Sequence, residues 1–322
     1  MRRLIIVVIL VTITIGIGIA FYNDSVIPLS EIEVNQKTIV LITKMKYGDY
    51  WKSVLKGAEA AEQEFGITLV YDAPNEEDDI QGQIDMVEFY IERNVDGIVL
   101  AASDYEALVP VVEKAFNNGI PVVLIDSHVN SNSYYKSFST DNYLAGIQAG
   151  ETLIELAGED AKIGVISFVK GSENAIQRER GLKAVLEEYP NIEIVDTMFC
   201  GSSIEVAETF AMIYLDQEVD AIIGLNAIAS MGLGRALNRH KEAIGIGFDT
   251  TLEEITFIDQ EIIDATIVQN PYGMGYLGVK YAAIGSDEAF PDKDNKIDTF
   301  VITSENMFLK ENQKLVFPFN VE

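Results

Sequence analysis

The sequence predicts an α/β protein of two doubly wound parallel-sheet lobes behind an N-terminal membrane helix. Three observations carry this. Short β-branched runs alternate with helix-period stretches from Thr38 onward. Phrases from the first half recur about 124 residues later. A long apolar run precedes both.

The apolar run comes first. It covers residues 4–21, about 27 Å if helical, and Arg2 and Arg3 hold its start on the cytoplasmic side. The body of the chain is then outside. The run is long for a signal peptide and has no Cys for a lipid anchor, so residues 1–21 are read as an uncleaved anchor. Small residues at Gly18 and Ala20 leave cleavage near Ala20 as the alternative. Residues 22–36 are polar and irregular and read as a tether.

The strand-like runs are 39–42, 67–71, 95–100, 122–125, 163–167, 192–195, 221–223, 244–246 and 265–268. Each is too short for a helix and apolar throughout, as parallel strands covered on both faces are. Helical patterns lie between them. In the first, Trp51, Val54, Leu55, Ala58 and Phe65 share one stripe, with Lys52, Lys56, Glu59 and Glu62 away from it. This βαβα rhythm predicts helices on both faces of a parallel sheet.

The repeat predicts that there are two such sheets. Ile39, Leu41 and Ile42 match Ile163, Val165 and Ile166, and Gly57 matches Gly181. Val95-Asp96-Gly97-Ile98 matches Val219-Asp220-Ala221-Ile222. Ile125-Asp126-Ser127 matches Phe248-Asp249-Thr250. The common offset points to duplication, with an Asp ending an equivalent strand in each lobe. Ligands of open α/β sheets bind beyond the carboxyl ends of the strands. Two such edges facing each other make a clamp.

Composition narrows the function. The formal net charge is -28, and without Arg2 and Arg3 the chain has 21 basic residues against 51 acidic ones. That surface repels nucleic acid and anionic lipid and suits a neutral or cationic ligand. The single cysteine, Cys200, rules out an internal disulfide and reads as a small buried residue. His128 and His240 stand far apart, without the spacing of a zinc site, and no cofactor is expected.

The candidate recognition residues lie on loops after the strands. Tyr50 and Trp51 open the first helix, and Asp126 and Asp249 end strands. Asn226 follows the run at 222–225, Gln269 follows 266–268, and Arg178 opens part of the helix after Phe168. Carboxylate, guanidinium and amide groups each make two hydrogen bonds in one plane, and flat rings cover an apolar C–H face. A sugar asks for both. The alternatives are structural: Asp126, Asp249 and Asn226 as helix caps, Trp51 as core, and Arg178 as a solvated helix residue.

From Thr38 to about Ile302 the chain resembles the ribose-binding type of periplasmic sugar-binding protein, related to the sugar domain of the lactose-repressor family. The matching phrases are Tyr50-Trp51 followed by Leu55-Lys56-Gly57-Ala58; Val123-Leu124-Ile125-Asp126; Thr140-Asp141-Asn142; Arg178-Glu179-Arg180-Gly181; Leu225-Asn226; Gly247-Phe248-Asp249; and Ala265-Thr266-Ile267-Val268-Gln269. The resemblance implies that Asp126, Arg178, Asn226, Asp249 and Gln269 hydrogen-bond a sugar or polyol on which Tyr50 and Trp51 stack. It also implies the type I periplasmic binding protein fold, with three crossing strands. Lobe 1 would hold residues 37–139 and 269–300, and lobe 2 residues 140–268 and 301–322. The partner would be a permease of an ABC-type importer or a membrane sensor kinase.

Three departures stand out. Lys44 replaces the usual Ser or Asn, Ser127 replaces an Arg, and Gly48-Asp49 replaces Asn-Pro. A lysine in the first loop is also similar to the autoinducer-2 receptors of the same superfamily. Lys44 is therefore a candidate ligand residue, either paired with Asp126 or meeting an acidic or strongly hydroxylated ligand, with a solvated lysine as the alternative.

An enzyme is the rival reading. Gly245-Ile246-Gly247 lies inside a strand and lacks the third glycine of a dinucleotide site, and no Gly-x-x-x-x-Gly-Lys loop occurs. His128 has no visible nucleophile partner. A repressor would need a helix-turn-helix where the apolar run stands. The expected protein is non-catalytic.

Overall fold

The computed structural model describes residues 36–201, 203–285 and 291–317. The anchor or signal segment and nearly all of the tether lie outside them. Among the described residues no helix is long and apolar enough to cross a membrane.

The first half reads β1 (Thr38–Ile42), α1 (Asp49–Phe65), β2 (Thr68–Asp72), α2 (Ile80–Glu92), β3 (Gly97–Leu100), α3 (Val109–Asn117), β4 (Val122–Ile125) and β5 (Lys136–Thr140). The second half reads α4 (Asn142–Ala157), β6 (Lys162–Ser167), α5 (Glu173–Leu186), β7 (Glu193–Phe199), α6 (Ile204–Asp216), β8 (Ala221–Gly224), α7 (Ala227–Arg239), β9 (Ile244–Phe248), α8 (Leu252–Asp259) and β10 (Ala265–Val268). Then come α9 (Pro271–Ile284), β11 (Asp294–Ile297), β12 (Phe300–Ile302) and α10 (Lys310–Val316).

Two six-stranded sheets result, ordered β11-β5-β4-β3-β1-β2 and β12-β10-β9-β8-β6-β7. The first is parallel throughout, and the second is parallel except for β12, which runs antiparallel to β10. Each sheet is the centre of one α/β lobe. The chain passes between them three times: from β5 to α4, from β10 to α9, and from β11 to β12. Helix α9 therefore packs against α1 of the first lobe, as α4 packs against α5 of the second.

The internal repeat is physical. The Asp96 carboxylate accepts from the Thr38 N–H at 2.8 Å, and its counterpart Asp220 accepts from the Lys162 N–H at 2.7 Å. Each bond fastens the start of a central strand. Gly57 and Gly181 repeat a closer constraint. A Cβ on Gly57 would lie 2.0 Å from the Tyr272 carbonyl oxygen, and one on Gly181 would lie 2.0 Å from that of Tyr143. Only glycine lets these helix pairs approach so closely.

Three strands were not anticipated: β5 and β11, which carry no apolar run, and β12, whose apolar stretch Phe300–Ile302 is only three residues long. Strand β5 is fully buried yet reads Lys-Ser-Phe-Ser-Thr. Its polar groups are satisfied by distant partners, Ser137 by Asp294 at 2.7 Å and Lys136 by the Asp292 carbonyl at 2.6 Å. The expectation that every strand is covered on both faces fails for β2 and β7. Both are sheet edges and only partly buried. In α1 the buried face is filled by Trp51, Ser53, Val54, Gly57, Ala58 and Ala61, while Leu55 and Phe65 are half-buried at its margin.

Candidate functional site

The carboxyl ends of both sheets open on one small cavity of about 50 Å³ between the lobes. All eight residues singled out in the sequence line it: Lys44, Tyr50, Trp51, Asp126, Arg178, Asn226, Asp249 and Gln269. Phe168, Glu77 and Asn174 join them.

Asp126 and Asp249 end β4 and β9 in the left-handed backbone region, at φ 62° and 77°. Non-glycine residues rarely hold this conformation, and Asp is among those that tolerate it. Neither caps the helix after its own strand. The Asp126 N–H bonds the Phe138 carbonyl at 3.2 Å, and the Asp249 N–H bonds that of Ile267 at 2.9 Å. The strand ends are thereby anchored to the neighbouring strand, with the carboxylates at the cavity.

Lys44 is not a solvated lysine. Its ammonium lies 2.8 Å from Asp126 Oδ2, with both side chains almost wholly buried. It also donates to Ser172 Oγ at 3.0 Å and Asn174 Oδ1 at 3.1 Å. Three donors thus meet three acceptors. Asn174 returns a bond to Asp126 Oδ2 at 3.2 Å, and the Tyr50 hydroxyl donates to Asp126 Oδ1 at 2.8 Å. Burial alone would raise the Asp126 carboxyl. The adjacent Lys44 charge and hydrogen bond, helped by Arg178 and Tyr50, hold it below its ordinary value instead.

Arg178 is the sixth residue of α5 rather than its opening one, and it is 1% exposed, which overturns the reading of a solvated helix residue. Its Nε donates to Asn142 Oδ1 at 3.0 Å and its Nη1 to the Leu225 carbonyl at 2.8 Å. The guanidinium stacks 4.6 Å from the Phe248 ring centre. Asp249 is held by Gln269 Nε2 at 2.6 Å and by the Ala227 N–H at 3.1 Å. Gln269 is itself fixed by Thr140 Oγ1 at 2.7 Å. Burial raises the Asp249 carboxyl, against the opposing pull of Arg178 and these bonds.

Asn226 does cap α7: its Oδ1 accepts from the Ala229 N–H at 2.9 Å. That leaves its amide N–H groups as what it can offer the cavity. Trp51 is both core and lining, 4% exposed, with its ring edge-on to Tyr50 at 4.9 Å. Its Nε1 donates to Glu77 Oε1 at 3.4 Å.

Sequence reasoning missed Glu77, Ser172, Asn174 and Phe168 as contributors. Glu77 belongs to a run of acids that reads as solvated surface, and Ser172 and Asn174 acquire meaning only opposite Lys44. Phe168 ends the apolar run of β6, a position that could have been read as a ring facing the ligand.

The lobes are closed on each other. Besides the Lys44 bonds, the Tyr105 N–H donates to the Gly171 carbonyl at 2.9 Å and the Leu252 N–H to Asp49 Oδ2 at 3.3 Å. His128 stands apart from the cavity lining, bonded to Ser139 Oγ at 3.1 Å, and burial and the nearby Lys296 lower it to about 4. Cys200 is free and buried. Among the described residues no cluster of His, Cys, Asp or Glu is arranged to hold a metal.

A family model described as a periplasmic binding protein domain matches residues 39–284. The D-ribose/D-allose-binding protein of Pseudomonas aeruginosa is 29% identical over 241 residues, covering 70% of this chain and 75% of that protein. The structure superposes on an ABC transporter solute-binding protein from Agrobacterium vitis with bound D-fucose at TM-score 0.83. The two are 30% identical, and the match covers 87% of this chain and 100% of the other. A chain of the XylFII–LytSN complex matches at TM-score 0.77 and 26% identity, covering 84% of this chain and 98% of that one. Fold, closed cavity and sequence agree: the chain belongs to the periplasmic binding protein family, a family of extracytoplasmic substrate-binding proteins rather than enzymes, and within it to the ribose-type sugar-binding group.

Proposed function

We propose that the protein closes its two lobes on one monosaccharide or polyol outside the cell membrane and delivers it to an ATP-driven importer. The observation that carries this is the pair of carboxylates, Asp126 and Asp249, set by the same strand-end geometry in each lobe and facing one cavity. Arg178, Asn226 and Gln269 supply planar donors beside them, and Trp51, Tyr50 and Phe168 supply rings. These groups match the hydroxyls and the C–H face of a sugar. Relatives named as import binding proteins for ribose and apiose support the importer role. Calorimetry over pentoses, hexoses and polyols is expected to find at least one ligand bound more tightly than about 100 μM, about -5.5 kcal/mol. Heat from an amino acid or peptide, with none from any sugar, would overturn the reading.

A second reading is that the protein presents its ligand to a membrane sensor kinase. The XylFII–LytSN match favours it, since that neighbour was solved bound to a second protein. An uncleaved N-terminal anchor serves either role. Protein recovered from native membranes is expected to retain residues 1–21, and N-terminal sequencing that begins at Phe21 would instead place a cleavage site at Ala20.

A further inference from the structure

We propose that Ser172 is a positioning residue for closure: with Asn174 it forms a latch on Lys44 that holds the two lobes together before a sugar arrives. This rests on the two-lobed clamp reading above and adds to it a closing force supplied by the protein's own side chains.

Residues 171–174 belong to the second lobe, between β6 and the first turn of α5. They reach the first lobe by a group of bonds. The Gly171 carbonyl accepts from the Tyr105 N–H at 2.9 Å. Ser172 Oγ accepts from the Lys44 ammonium at 3.0 Å, and Asn174 Oδ1 accepts from the same ammonium at 3.1 Å. Asn174 Nδ2 donates to Asp126 Oδ2 at 3.2 Å. Lys44, Asp126, Ser172 and Asn174 are all almost wholly buried. Gly171 lets the segment come in so close. A Cβ there would collide with the Asp104 carboxylate of the first lobe, which the Glu106 and Ala107 N–H groups hold at 2.8 and 2.7 Å.

Ser172 gives up a local role for this contact. It stands at the N-cap of α5, where a serine hydroxyl ordinarily accepts from an N–H of the first turn. Here its side chain makes no cap bond. Its oxygen takes Lys44, and its proton goes to Asn174 Oδ1. Opening the cleft parts Lys44 from both acceptors and Asp126 from one donor. The Lys44–Asp126 pair lies within the first lobe and stays together. Hydrogen bonds to charged groups are the stronger class, so their loss favours the closed form. A closed form populated in advance spares the ligand the cost of closure. That gain is the same for every ligand the closed cleft accepts.

The test compares the wild type with Ser172→Ala, a change outside the cavity lining that removes no cap bond. Small-angle X-ray scattering on both proteins, dialysed free of ligand, is expected to give the variant the larger radius of gyration. At saturating sugar the two values should converge. Calorimetry with D-ribose, D-xylose, D-glucose and D-galactose should show an affinity loss of about tenfold in the variant, by the same factor for each sugar that binds. Proteins that scatter alike before sugar is added, an unchanged affinity for every sugar, or a loss confined to one sugar overturn the latch and leave the sugar reading standing. The scattering comparison needs no ligand, so a difference there with no heat from any sugar or polyol defeats the sugar reading alone.

Discussion

Asp249→Asn is expected to weaken binding of the protein's best monosaccharide ligand by about 30- to 1000-fold, about 2–4 kcal/mol. The carboxylate is buried at the end of β9 and takes Gln269 on one oxygen and the Ala227 N–H on the other. An Asn keeps the shape but puts an NH₂ opposite one of those donors and offers a donor where a ligand hydroxyl wants an acceptor. One mismatched buried pair should lower stability by about 1–3 kcal/mol. Affinity should therefore fall further than stability. The check is paired: ligand affinity and chemical unfolding midpoint for wild type and variant. Affinity held within about threefold, with a sharp fall in the midpoint, would make Asp249 a purely structural group.

Lys44→Met is expected to destabilise the closed protein by about 3–5 kcal/mol near neutral pH, because it leaves Asp126 buried without its counter-ion. The pH dependence separates charge from packing. In the wild type the Asp126 carboxyl titrates below its ordinary value. Its contribution is thus present above the unfolded value, about 3.9, and is lost only as pH falls through the lower folded one. In the variant burial is opposed by Arg178 and Tyr50 but no longer by Lys44, so the carboxyl takes up its proton at a higher pH. The gap between the two proteins should be widest near neutrality and narrow toward acid. Unfolding curves over about pH 4 to 8 measure it. A gap that stays constant would mean that lost packing, not the ion pair, is responsible.

Lys44 also shows how a sequence departure is resolved by a fold. From the sequence it is a cation where Ser or Asn is usual, with several roles open. In the structure its partners Ser172 and Asn174 lie 128 and 130 residues away, on the other lobe. The lysine spends its charge on Asp126 and its remaining donors across the cleft. The idea that it awaits an acidic ligand loses its support.

What the sequence by itself determined is what is local or repeated. Strands β4 and β10 stand at the residues where the apolar runs put them, because buried parallel strands must be apolar on both faces. The repeat located the pairs Asp96 and Asp220, Gly57 and Gly181, and Asp126 and Asp249, since duplicated backbone geometry demands the same residue types twice. The tertiary structure alone decided the rest. Strands β5 and β11 have no apolar signature and β12 is a three-residue Phe-Val-Ile too short to stand out, while β5 is held by partners such as Asp294 on Ser137, 157 residues away. Whether Arg178 is solvated or buried, and whether Glu77 is surface or cavity lining, depends on partners far along the chain, Asn142 and Leu225 for Arg178 and Trp51 for Glu77. No local pattern encodes that, because the desolvation that gives those charges their chemistry exists only once the chain has folded around them.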